Sequence, residues 1–210
     1  MAAEPAIKRT VAFFDGQNLF RKVKDAFGYR FPNFDAPALA RVICANHGWQ
    51  LQQVRFYTGV PDTRDNAFWN HFWTAKFAQM GRERVHLFSR PLRYRHETVP
   101  LPDGSSVMVR VGREKGVDVR IALDVIRLAL RGEFDVGLIF SQDQDLSEVA
   151  KEIRLIAKEQ SRWLKLGSAF PFSPVLKKPR GINGTDWIRI DRGTYDACID
   201  PRDYRPKPKP

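Results

Sequence analysis

Four aspartates stand where a chain builds chemistry rather than core: Asp15, Asp118, Asp143 and Asp145. Asp15 ends the apolar run TVAFF, and Asp118 sits early in VDVRIALDVIRLAL. Asp143 and Asp145 follow the apolar run VGLIF, within SQDQD. A buried carboxylate costs several kcal/mol unless it is paired or bound to a cation. Each has an ordinary explanation when taken alone. Asp15 suits an Asx turn or a helix cap, Ser141 or Asp143 caps a following helix with Asp145 in its first turn, and Asp118 could meet a buried Arg or free backbone amides. Placed together at one rim of a fold, however, they repel one another severely unless a cation lies between them. An all-oxygen set suits Mg²⁺ or Mn²⁺. The four histidines (His47, His71, His86, His96) stand at no ligand spacing, which excludes a zinc site of the usual kind.

The elements that would bring these residues together alternate in type. TVAFF reads as a strand leading through DGQN into a helix over 19–27, and a second helix starts near Asp35 and stops at Gly48. LQQVRFYTGV is the next strand, RDNAFWNHFWTAKFAQMG a helix and VHLF, 85–88, a third strand. Residues 89–115 hold two alternating runs around a DG turn, a basic β-hairpin inserted in the domain. A helix over 116–131, the strand DVGLIF, a helix over 143–159, the strand RWLKLG, a Pro/Gly-rich loop, the short strand WIRI and a terminal helix complete the pass. Nearly unbroken apolar strands between helices predict an α/β sandwich with a mainly parallel sheet, and in such sheets sites form at the C-terminal edge.

In the helix over 116–131, Arg120, Arg127 and Arg131 share a narrow face at about 100° per residue, and Asp118 falls in the apolar arc beside Ala122, Val125 and Ala129. Asp124 lies at the border of that arc, where Arg120 or Arg127 predicts a surface ion pair in a supporting position behind the acidic set.

The chain has 210 residues, enough for one domain over 1–200 with a mobile Pro/Lys tail over 201–210. Its net charge of +11 favours a polyanionic partner, nucleic acid before membrane. The N-terminal residues show no secretory apolar segment and no apolar run is long enough to span a bilayer, so a cytoplasmic protein is expected. Cys44 and Cys198 are expected as buried free thiols.

DGQN, KGVD and SQDQD, in this order over about 11–166, resemble the signature of the NYN domain family, in the LabA-like branch of the PIN-like nuclease superfamily. The resemblance implies a PIN-like α/β/α fold and metal-dependent cleavage of RNA, with Asp15, Asp118, Asp143 and Asp145 as metal-binding carboxylates and Asn18 and Ser141 as orienting polar groups. Gln142 and Leu146 stand where relatives often carry Gly and an aromatic residue.

An acidic pocket repels phosphate, so cations must draw the strand in. Arg90, Arg93, Arg95, Arg110 and Arg113 of the insertion, with Tyr94 among them, are expected to grip RNA, or single-stranded DNA, and to stack a base. The aromatic stripe over 68–80 has the spacing of core, and the basic stretch Lys177, Lys178 and Arg180 reads as solvated charge. The competing reading is an RNA-binding or regulatory protein that no longer cleaves; a phosphotransferase with a nucleophilic Asp15 would want a second acid where Gln17 stands.

Overall fold

The computed structural model describes residues 2–177 and 179–207; Lys178 and the end of the tail, 208–210, lie outside the described residues. Six parallel strands form one sheet: β1 (Lys8–Asp15), β2 (Trp49–Val60), β3 (His86–Pro91), β6 (Val136–Phe140), β7 (Lys165–Pro171) and β8 (Asp186–Ile190). β4 (Arg93–Pro100) and β5 (Ser106–Arg113) form a separate antiparallel hairpin, the expected insertion. The sheet order is β3-β2-β1-β6-β7-β8. The chain builds outward from β1 to β3, then returns to place β6 against the other side of β1. That reversal opens a crevice beyond the C-terminal ends of β1 and β6, the place where such sheets bind ligands.

The alternation within β1 decides which helices cover which face. Ala12 and Phe14, with Phe56, Leu138 and Phe140, meet α1 (Gly16–Phe27), α2 (Ala36–Asn46) and α3 (Ala67–Arg82). Val11 and Phe13, with Ile139, meet α4 (Val117–Leu130) and α5 (Ser147–Glu159). The Phe14 and Phe140 rings stack with centroids 3.9 Å apart across the β1–β6 pair, so the two strands that carry the acidic motifs are also locked by their side chains.

Several boundaries and burials differ from the sequence reading. α1 starts at Gly16 because Asp15 itself is the cap, its side chain accepting from the Asn18 N–H. A short 3₁₀ turn, Gln144–Leu146, precedes α5. Asp124 is 2% exposed and not a surface ion pair: Arg120 Nη2 lies 2.7 Å away, and Arg55 and the Tyr57 hydroxyl donate to it from β2. The tail over 201–207 does not float free. Tyr204 is buried and donates to Asp200, and the buried Lys76 ammonium, which donates to the Phe34 carbonyl, sits 3.7 Å from Asp200 and 4.9 Å from the Tyr204 ring centre. An aromatic anchor close to the described end outweighs the tail's polar composition. Cys44 and Cys198 are buried and unpaired, as expected.

A candidate acidic site at the sheet's switch point

Asp15 is fixed from two directions. One carboxylate oxygen accepts from the Asn18 N–H at 3.1 Å, and the other accepts from the Ser141 hydroxyl at 3.0 Å. Ser141, just past the end of β6, is only 1% exposed, and its oxygen in turn accepts from the Asp143 N–H at 3.1 Å. The Asn18 side chain accepts from the Gln142 N–H at 3.0 Å. Asn18 and Ser141 thus tie the DGQN turn after β1 to the SQDQD turn after β6. These bonds favour an ionised Asp15, yet burial outweighs them, and Asp143 and Asp118 add to it; the carboxyl is pushed up to about 6.

α4 supplies Asp118 in its first turn, half-buried rather than sunk in the apolar arc as its helical phase suggests. The first turn opens onto the acidic cavity rather than onto core. Gly116, at φ 75°, turns the chain into α4 through the left-handed region that the KGVD motif needs a glycine to enter.

Asp15, Asp118 and Asp143 line one cavity of about 300 Å³, together with Glu114, Arg21, Arg113 and Lys115. Asp145 does not line it; its side chain is exposed, while its N–H donates to the Asp143 carboxylate at 3.1 Å. Asp124 points to β2 and takes no part. Glu114 is the acid that sequence reading missed. It accepts from the Gly59 N–H, and burial with the charges of Asp15 and Asp118 pushes its carboxyl up to about 7. A side chain at Gly59 would collide with Leu92 and Glu114, its Cβ falling 2.5 Å and 2.9 Å from them, so the glycine makes room for the acid.

Among the described residues no Lys or Arg forms an ion pair with Asp15, Asp118, Asp143 or Glu114. Nor do three of them converge closely enough to hold one ion as they stand, among the described residues. Their chemistry still fits a hard divalent cation: oxygen donors only, mutually repelling, with no Cys or His among them.

The basic residues of the insertion divide. Arg93 and Arg95 are exposed, facing Arg113 and Val111 across the hairpin. Arg113 reaches the acidic cavity but bonds Glu97 at 2.7 and 2.9 Å. Arg110 pairs with Asp65 and lies 4.5 Å over the Tyr94 ring, and Arg90 lies over Phe88 beside Gly116. Beyond the site, Gln142 and Gln144 donate to the carbonyls of Arg180 and Gly181, tying the Pro/Gly-rich loop to SQDQD. Leu146 is core.

A search of curated protein sequences gives no match. Among solved structures, a protein of unknown function from Vibrio parahaemolyticus RIMD 2210633 is similar in fold, with TM-score 0.53 and 21% identity over 88% of this chain and 94% of that one. A ribokinase from Giardia lamblia matches more remotely, with TM-score 0.31 and 11% identity over 60% of this chain and 36% of that one. The profile of the NYN domain matches residues 9–160, which hold all three motifs, both strands of the switch point and every acid of the cavity, and the chain belongs to the NYN domain family.

Proposed function

We propose that the protein is a metal-dependent ribonuclease that hydrolyses RNA phosphodiester bonds at this cavity, in the LabA-like branch of the PIN-like nucleases, with residues 1–200 acting as one domain in the cytoplasm. The observation that carries the reading is the gathering of Asp15, Asp118, Asp143 and Glu114 around one cavity, without ion-pair partners among the described residues, in a chain of net charge +11. Asp15, Asp118 and Asp143 would hold Mg²⁺ or Mn²⁺, with Asp145 at the exposed margin. When bound, the ion supplies activation of water and neutralisation of charge developing on the phosphate. Asn18 and Ser141 hold Asp15 and the SQDQD turn in register, and Glu114, on the wall of the same cavity with its carboxyl raised to about 7, would take a proton from water. Among the described residues no helix is long and apolar enough to cross a membrane.

Purified protein incubated with single-stranded and structured RNA in Mg²⁺, Mn²⁺ or chelator tests the reading. Cleavage that requires the metal is expected; intact RNA in every condition would sink it. A second reading, RNA binding without cleavage, draws on the spacing of the acids, since among the described residues no three stand close enough to hold an ion together. Binding with no metal-dependent cleavage would select it.

The strand would be drawn in by Arg90, Arg93, Tyr94, Arg95, Arg110 and Arg113. Arg90, Arg93 and Arg95 are exposed and have no carboxylate partner among the described residues; Arg90 lies over Phe88, which leaves Arg93 and Arg95 free to neutralise phosphates. Replacing both with Ala should weaken RNA binding roughly 10-fold and lower the slope of log K against log salt by about 1–2. Filter binding across a salt series reads both quantities, and an unchanged slope would remove these residues from the path. Single-stranded DNA is the control substrate, because phosphate contacts do not distinguish it.

A further inference from the structure

A second cavity, of about 380 Å³, opens beside the acidic one, between α1, α3 and the base of the hairpin. Gln17 and Arg21 line both, so the two are neighbours across one turn of α1. Its walls are aromatic: Phe20 from α1, Trp69 and Trp73 from α3, and Tyr94 from β4. The aromatic stripe over 68–80 is therefore core for most of its length, with Phe72 and Met80 buried, but Trp69 is half-buried and turns toward this opening. Tyr94 is also half-buried, and its ring is capped by the Arg110 guanidinium. A pocket of this size, walled by aromatic side chains, with Arg21 at one edge and the Arg110–Asp65 pair at another, has the make-up of a site for a flat, uncharged ring carried on an anionic backbone.

We propose that this cavity takes one unstacked nucleobase of the RNA strand whose adjoining phosphate lies at the acidic cavity, which makes single-stranded RNA the substrate class. The inference rests on the ribonuclease reading for the identity of the strand, and on the Gln17 and Arg21 wall that the two cavities share for its placement. A base in a duplex is stacked and paired, and cannot enter a pocket walled by Phe20, Trp69 and Tyr94 without being extruded. The residues lining the cavity favour any base with a π-face over a particular sequence, since stacking tolerates all four.

The test compares two fluorescently labelled octaribonucleotides in chelator, one intact and one with its four central bases replaced by abasic residues. By fluorescence anisotropy the wild-type protein should bind the intact strand roughly 10-fold more tightly. Tyr94→Ala should bind the two strands equally, while Tyr94→Phe should keep the preference. Phe20→Ala, on the opposite wall, should lose it as well, which guards against a hairpin that has merely come loose. A wild-type protein that binds both strands equally, or binds neither, overturns the proposal, as does a Tyr94→Ala variant with the full preference. Cleavage is scored separately in Mn²⁺. Equal cleavage of intact and abasic strands rejects the base pocket and leaves the nuclease standing; base-dependent binding with no cleavage does the reverse.

Discussion

Asp15→Asn and Asp118→Asn should each lower metal-dependent RNA cleavage by at least about 10²-fold, because each removes a negative oxygen from the set that would bind the ion and align the reacting water. The informative part is what happens to stability. In Asp15→Asn the new carboxamide keeps an oxygen that can accept from the Asn18 N–H, so the cap of α1 survives. The substitution also removes a buried charge whose carboxyl is pushed up to about 6 by burial and by Asp143 and Asp118. Metal-free Asp15→Asn should therefore melt at the same temperature as the wild type or higher at pH 7.5, while turnover collapses. Asp124→Asn serves as the contrast: it breaks a buried cluster with Arg55, Tyr57 and Arg120, so it should destabilise the fold without acting on the acidic cavity. Gel-resolved cleavage alongside thermal melting separates the cases. Undiminished turnover in Asp15→Asn or Asp118→Asn would remove those carboxylates from the chemistry.

The contrast between Asp118 and Asp124 also marks how far the sequence could be read. Strand and helix order, the parallel sheet and the convergence of the DGQN and SQDQD turns follow from local pattern: apolar runs ended by capping residues. Angular phase along α4 put Asp118 in the apolar arc and Asp124 at its border, and the structure exchanges their burial. Phase says which way a residue points and nothing about whether a neighbour is there. Asp118 lies in the first turn, beside the open cavity, whereas Asp124 faces Arg55 and Tyr57 of β2, which covers it. Glu114 was invisible for the same reason. In GREK it reads as one more hairpin charge, and only the fold brings it onto the Gly59 N–H, 55 residues away. Tyr204 likewise looks like part of a polar tail until Lys76 and Asp200 are seen beneath it.

The same uncompensated charge gives the metal-free protein an unusual pH dependence. Asp15 is raised from 3.8 to about 6 in the fold and Glu114 from 4.5 to about 7, so over this window the folded chain binds more protons than the unfolded one. Stability from a group raised in this way is fully present below its unfolded value and is lost as pH rises through its folded value. Between pH 5 and 7.5 in chelator, the wild type should lose on the order of 1–2 kcal/mol on account of Asp15 alone. Lys76 is shifted the other way, since burial pushes it down to about 8, but it stays protonated in both states over most of the window and its effect grows only above it. Divalent ions compete with protons for the same oxygens, so Mn²⁺ should restore the stability most at pH 7.5 and least at pH 5. Denaturant melts at a series of pH values, with chelator and with Mn²⁺, supply the profile. Asp15→Asn should flatten the chelator curve. If the wild type instead holds or gains stability from pH 5 to 7.5 without metal, the carboxylates are already neutralised within the fold, and neither the cation nor the nuclease built around it has a reason to be there.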